Sequence, residues 1–245
     1  MQRYLVDECA RRRSDDRTDR CVNETIASAA PRQQIEGTLM STREPIVNPV
    51  AIAALRPTQM TVGYREVEAK RREWRKRKET EGAEYLGQHM IPVILGPKNR
   101  HYVIDHHHLA RALLEEGVEN ILINVVADLR AAHKDSLWVI LDNRGWCHPY
   151  DHEGVRRDFA DIPATVADLT DDPYRSLAGA LRRAGGFAKD STPFSEFIWA
   201  DFLRHTVKAK QIEKDFESAL ARALELAKSL EANYLPGWCG PAGAE

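Results

Sequence analysis

Between Ile91 and Leu129 the hydrophobic pattern changes period three times. Ile91, Val93 and Leu95 alternate, Gly96-Pro97-Lys98-Asn99 carries turn chemistry, and Tyr102-Val103-Ile104 resumes extended patterning, which predicts a β-hairpin. From His108 the apolar positions Leu109, Ala112 and Leu113 fall at helical spacing. Gly117 follows Glu115-Glu116 as a helix stop, and the run Ile121 to Val126 predicts a further strand. Four polar residues, Asp105, His106, His107 and His108, therefore sit where a strand ends and a helix begins. Unpaired backbone N–H groups at such a junction can hold an anion.

Upstream, Tyr64 to Lys78 reads as a helix. Downstream the pattern becomes helical. Lys134 to Asn143 forms one helix, Asp171-Asp172-Pro173 opens another that Gly185-Gly186 ends, and Pro193-Phe194-Ser195-Glu196 opens a third. Ile212 to Leu230 is a final amphipathic helix, with Phe216, Leu220, Ala223, Leu224 and Ala227 on one side, which packs on the helical part or on a second subunit as a homodimer contact. The expected organisation is α+β: a disordered extension over residues 1–44, a small mixed-sheet domain over 45–130, a mainly helical region over 131–235 and a tail over 236–245.

Composition narrows the function classes. With 245 residues, 43% of them hydrophobic, the chain can bury a substantial core. A formal net charge of -2 gives no global basic field, so binding to nucleic acid would need a local patch. The four cysteines, Cys9, Cys21, Cys147 and Cys239, form no C-x-x-C pair, which argues against a zinc ribbon or a thioredoxin-type site and for a reducing cytoplasm. No apolar run is long enough to cross a membrane.

The order of proline-apolar strand, turn, Tyr102-Val103-Ile104-Asp105, polar cluster and Arg111-Ala112 helix resembles the ParB/sulfiredoxin superfamily, and most closely its ParB-like nuclease branch. Partition proteins of that superfamily bind nucleotide phosphates through Gly-Glu-Arg-Arg-x-Arg-Ala, and its free-serine kinases carry Asp-Gly-His-x-Arg. On this chain His106 stands at the glycine, His107 at the glutamate or histidine, His108 at the first arginine, and Arg111-Ala112 at the final pair, with Asp105 at the kinase aspartate. The resemblance spans roughly Pro49 to Leu129 and implies phosphate chemistry, as a metal-assisted nuclease or a nucleotide-dependent phosphotransferase. A glutamate of the kinases that acts as a base falls near Glu66.

The candidate site follows. His107, Glu66 and Asp105 are the expected catalytic groups, and His106, His108, Arg111 and Lys70 the expected phosphate or nucleotide contacts. Asp105 with His107 is the expected ligand pair for a divalent metal, Mg or Mn, since imidazole and carboxylate together suit such ions. Each residue has a plainer alternative: Asp105 as a helix cap, Glu66 with Lys70 as an ion pair, and Arg111 covering apolar surface with its stem. The run Lys70, Arg71, Arg72, Arg75, Lys76, Arg77, Lys78 reads either as a solvated face paired with nearby glutamates or as a nucleic-acid track. The track would suit a second reading, a non-catalytic chromosome-partitioning or regulatory module with a nucleotide switch, although no helix-turn-helix pattern follows the ParB-like region. Farther on, His148 and Asp151 could complete a site or bond locally, Cys147 reads as a buried spectator, and Asp171-Asp172 as a helix N-terminus rather than a Mg²⁺ site.

Overall fold

The computed structural model describes residues 49–241, so the extension expected over residues 1–44 lies outside the described residues. The first half runs β1 (Pro49–Ala51), β2 (Leu55–Pro57), β3 (Thr61–Val62), α1 (Tyr64–Gln88), β4 (Ile91–Gly96), β5 (Arg100–Val103), α2 (His107–Glu115) and β6 (Asn120–Asp128). The second half runs α3 (Lys134–Asn143), β7 (Thr170–Asp171), α4 (Pro173–Arg183), α5 (Ser195–Thr206), α6 (Ala209–Lys214) and α7 (Phe216–Ala227). A mixed five-stranded sheet in the order β1-β6-β4-β5-β2 and a mostly helical second half make the α+β class expected from the sequence.

The expected hairpin is β4 against β5, antiparallel, with Val93 opposite Val103 and Gly96 opposite Arg100. Its turn places Lys98 and Asn99 at φ 61° and 56°. Gly96 is required there, because a Cβ would lie 2.5 Å from the Tyr102 ring. Strand alternation then divides the core. Leu55, Val93 and Val103 face α1 and α2, meeting Val67, Trp74 and Tyr85 from the first and Leu109, Ala112 and Leu113 from the second. Ile94 and Tyr102 face the other way, against Leu137, Leu141 and Cys147.

Three elements depart from the sequence reading. Helix α1 continues ten residues past Lys78 to Gln88; no proline interrupts 79–88, and Tyr85 prolongs the buried stripe begun by Val67 and Trp74. The final amphipathic segment is two helices, because Asp215 leaves helical geometry (φ -148°, ψ 85°) and its carboxylate accepts the Ser218 N–H at 3.0 Å to cap α7. The apolar side of α7 is used within the chain, against Leu177, Trp199 and Leu203. Residues 236–241 are not a loose tail: Trp199 Nε1 donates to the Pro236 carbonyl at 2.8 Å, Ala188 N–H donates to the Gly237 carbonyl at 2.8 Å, and Trp238 packs on the helical core.

The helical half is stitched to the sheet half where α1 begins. β3 pairs in parallel with β7, and the Asp171 carboxylate accepts the Tyr64 N–H at 2.7 Å. Next to it, buried Asp172 caps α4 by accepting the Tyr174 N–H at 2.9 Å and pairs with Arg204 at 2.8 Å. Burial pushes the Asp172 carboxyl above its ordinary range and the Arg204 charge opposes that. The aspartate pair is thus a junction, as the helix-start reading expects, and it brings α4 alongside α1 and the histidine turn.

Candidate functional site

The strand-to-helix turn after β5 opens on a cleft of about 290 Å³. Its walls come from four places: Glu66 and Lys70 of α1; Asp105, His106 and His108 of the turn; Arg175 and Arg182 of α4; and Lys189 with Glu196 of α5. A second hollow of about 360 Å³ continues from it, sharing Asp105, His108, Arg175, Lys189 and Glu196.

The four residues of the turn divide two and two. Asp105 and His106 are exposed, and the Asp105 carboxylate accepts the His106 N–H at 2.6 Å. His106 takes the left-handed conformation (φ 64°, ψ 26°), so the backbone at the superfamily's glycine position keeps a glycine-like shape while bearing a side chain, at a cost of about 1 kcal/mol. His107 and His108 turn inward. His107 Nε2 accepts the Thr58 N–H at 3.2 Å, and burial lowers its pKa to about 3. His108 Nε2 accepts the Gly63 N–H at 3.0 Å; burial and then the Arg175 charge hold it well below the ordinary imidazole range. Both rings are neutral acceptors that fasten the segment Thr58–Gly63 to the turn. The Nε2 of His107 is thus engaged in the interior, while the ring borders the second hollow.

Glu66 and Lys70 reach the cleft but do not pair with each other. The Glu66 carboxylate is gripped by both Nη groups of Arg183, and Lys70 pairs with Glu73 at 2.9 Å. Arg111 is not brought to the cleft. Its guanidinium bonds the carbonyls of Val166, Ala167 and Leu169 and the Glu115 carboxylate, tying α2 to the segment before β7. Of the expected metal pair, Asp105 is exposed and His107 is buried with Nε2 taken by the Thr58 N–H. Among the described residues no cluster of three His, Cys, Asp or Glu side chains is arranged to hold a metal ion.

The residues missed in the sequence are Arg175, Arg182, Lys189 and Glu196. Arg175 is only 8% exposed. One of its terminal nitrogens donates to Glu196 at 2.8 Å and its guanidinium lies 5.2 Å above the Phe197 ring, yet its Nε–H has no partner among the described residues. Arg182 shares the same Glu196 at 2.7 Å. A signal existed: Arg175 and Arg182 are seven residues apart, hence on one face of α4, and Arg175 sits among residues of the buried stripe. Two cations shared by one carboxylate, with Lys189 and Lys70 in the same lining, outnumber the acidic groups Glu66, Asp105 and Glu196 and bias the cleft toward an anion.

Beyond Lys70, the basic run of α1 does not line it. Arg71 and Arg75 converge on Glu116 at 2.7 and 2.6 Å, Arg71 also meets Glu68 and Glu115, and Arg77 meets Glu81 at 2.8 Å. Hydrogen bonds from Arg75 lead the effects that bring the Glu116 carboxyl down to about 2. The aromatic loop resolves in favour of local bonding. Asp151 accepts the Glu153 and Val155 N–H groups at 2.9 Å, His148 is stacked among Tyr150, Phe194 and Phe197 with burial lowering its pKa to about 3, and burial raises the Cys147 thiol to about 12.

A fold and a turn of this kind define a ParB-like domain. The family described as "Putative ParB-like nuclease" matches residues 48–205, and the chain belongs to that family. The crystal structure of protein Atu1540 from Agrobacterium tumefaciens is similar to it, with 52% sequence identity and a TM-score of 0.74 over 80% of this chain and 99% of that one. No curated protein matches the chain.

Proposed function

We propose that the cleft binds a phosphate ester, of a nucleotide or of nucleic acid, and that the protein acts on it as a nuclease or phosphotransferase. One observation carries the reading: Arg175 is buried, lines both hollows and keeps an unpartnered Nε–H donor, which is costly unless a ligand's oxygen completes it. Arg182 and Lys189 add charge at the same place. Phosphate is the anion that two guanidinium forks and helix N–H groups together suit best.

Proton handling falls to exposed groups. Asp105 pairs with no cation among the described residues, so its carboxylate is available to take a proton from an attacking hydroxyl or water. Glu66 is the second candidate, released if Arg183 turns to the ligand. His107 and His108 hold the floor. The partitioning-module reading has less support, since Arg71, Arg75 and Arg77 of the run it would use are paired with glutamates.

The test is turnover. ATP, single-stranded DNA and duplex DNA are assayed with and without Mg²⁺ or Mn²⁺, for the wild type, Asp105→Asn and Glu66→Gln. Asp105→Asn is expected to lower kcat by about 100-fold, in the range of a lost general base, with an unchanged melting temperature. Equal rates in both variants and the wild type would contradict the assignment.

A further inference from the structure

A group of cations without carboxylate partners among the described residues lies on the other side of the sheet. Alternation along β5 puts Arg100 and Tyr102 on the face covered by α3, and the parallel pairing of Arg56 with Tyr102 brings Arg56 to that face as well. Lys134 begins α3 beside them. These cations line a groove of about 480 Å³ together with Tyr102, Trp138 and Phe159. Its single acidic lining residue, Asp135, lies 3.6 Å from His133, and Arg56, Arg100 and Lys134 form no ion pair among the described residues. The aromatic floor is ordered: Trp138 and Phe159 lie 5.8 Å apart with planes 10° from parallel, and Tyr102 supports Trp138 edge-on at 5.6 Å. Both Trp138 and Phe159 remain partly exposed.

We infer that this groove is a binding surface for single-stranded nucleic acid. Unpaired cations at a groove rim follow a phosphodiester backbone, and flat aromatic faces accept any unstacked base. An acidic peptide would use the cations but gain nothing from the rings. A duplex would offer phosphates but keep its bases stacked on one another. The groove shares no lining residue with the cleft. The inference therefore does not rest on the phosphate-ester reading, and either can fail alone.

The experiment is fluorescence anisotropy of a fluorescein-labelled twelve-nucleotide oligothymidylate, titrated with the full chain at several salt concentrations. Three phosphate contacts predict a log–log salt slope of about -2. Arg56→Glu with Arg100→Glu is expected to weaken binding by tenfold or more, and Trp138→Ala by about tenfold from the lost stacking. The charge-reversal pair guards against misfolding of the tryptophan variant, since circular dichroism melts should leave it at the wild-type temperature. Arg71→Glu with Arg75→Glu is expected to change affinity less than twofold. The inference is overturned if the oligonucleotide does not bind at low salt, if the groove variants bind as well as the wild type, if a matched duplex binds equally, or if a polyglutamate peptide competes as effectively as unlabelled oligothymidylate.

Discussion

The outer face of α1 and the wall of the cleft are both rich in cations, and they differ in what has been done with the charge. On α1, Arg71 and Arg75 close on Glu116, which is borne at the end of α2, and Arg77 closes on Glu81 one turn away. In the cleft, Arg175 and Arg182 divide a single carboxylate, and the buried Arg175 retains a donor with no acceptor. Density of Lys and Arg along a sequence thus says little about charge available to a ligand. What decides is how many acceptors the fold delivers to each cation.

Acid separates the buried histidines, His107 beneath the cleft and His148 in the aromatic loop, from the α1 face most strongly. His107 and His148 are held neutral down to about pH 3 in the folded protein, whereas unfolded they take up protons near pH 6.5. The unfolded chain binds more protons in that window, so stability falls as pH drops from 6.5 toward 3, by about 2 kcal/mol per histidine between pH 7 and 5. Glu116 acts in the same direction but in a lower window: its lowered pKa of about 2 means that its contribution is present above the ordinary carboxylate range and is lost only as pH falls from there toward 2. Urea melts should therefore show an acid loss between pH 7 and 5 that belongs to the histidines alone. His148→Phe, a ring of similar size in an aromatic setting, should remove about 2 kcal/mol of that loss. A variant with the wild-type pH dependence would show that His148 does not stay neutral.

A smaller effect breaks the comparison from the other side. Glu116→Gln leaves Arg71 and Arg75 without their main acceptor, at an expected cost of about 1 kcal/mol in a thermal or urea melt. The same change should release Arg71 and Arg75 to join Lys76 and Lys78, which form no ion pair among the described residues, so the variant should elute from heparin at higher salt than the wild type. Unchanged elution would mean that the α1 charge is already available.

Much of the fold was legible. The β4–β5 hairpin, α2 with its glycine stop and the strand β6 follow from period and turn chemistry, because those signals are local and strong. The inward turn of His107 and His108 was not legible. Their partners, the N–H groups of Thr58 and Gly63, lie some 45 residues upstream or more, and nothing in the local pattern marks a backbone donor as needing a histidine acceptor. Arg111 was misleading for a related reason: its acceptors are carbonyls of a segment more than fifty residues downstream. The site itself was half legible. The turn announced it, while Arg175, Arg182 and Lys189 come from the helical region, which reads as ordinary amphipathic sequence until α4 is placed against α1.

The most direct measurement is calorimetric titration of the full chain with inorganic pyrophosphate, with thermal shift as a parallel readout. The account predicts binding by the wild type, a melting temperature that rises with pyrophosphate by mass action, affinity reduced tenfold or more in Arg182→Glu with Lys189→Glu, and affinity retained in Arg71→Glu with Arg75→Glu. Binding that survives the cleft substitutions and disappears with the α1 substitutions would contradict it.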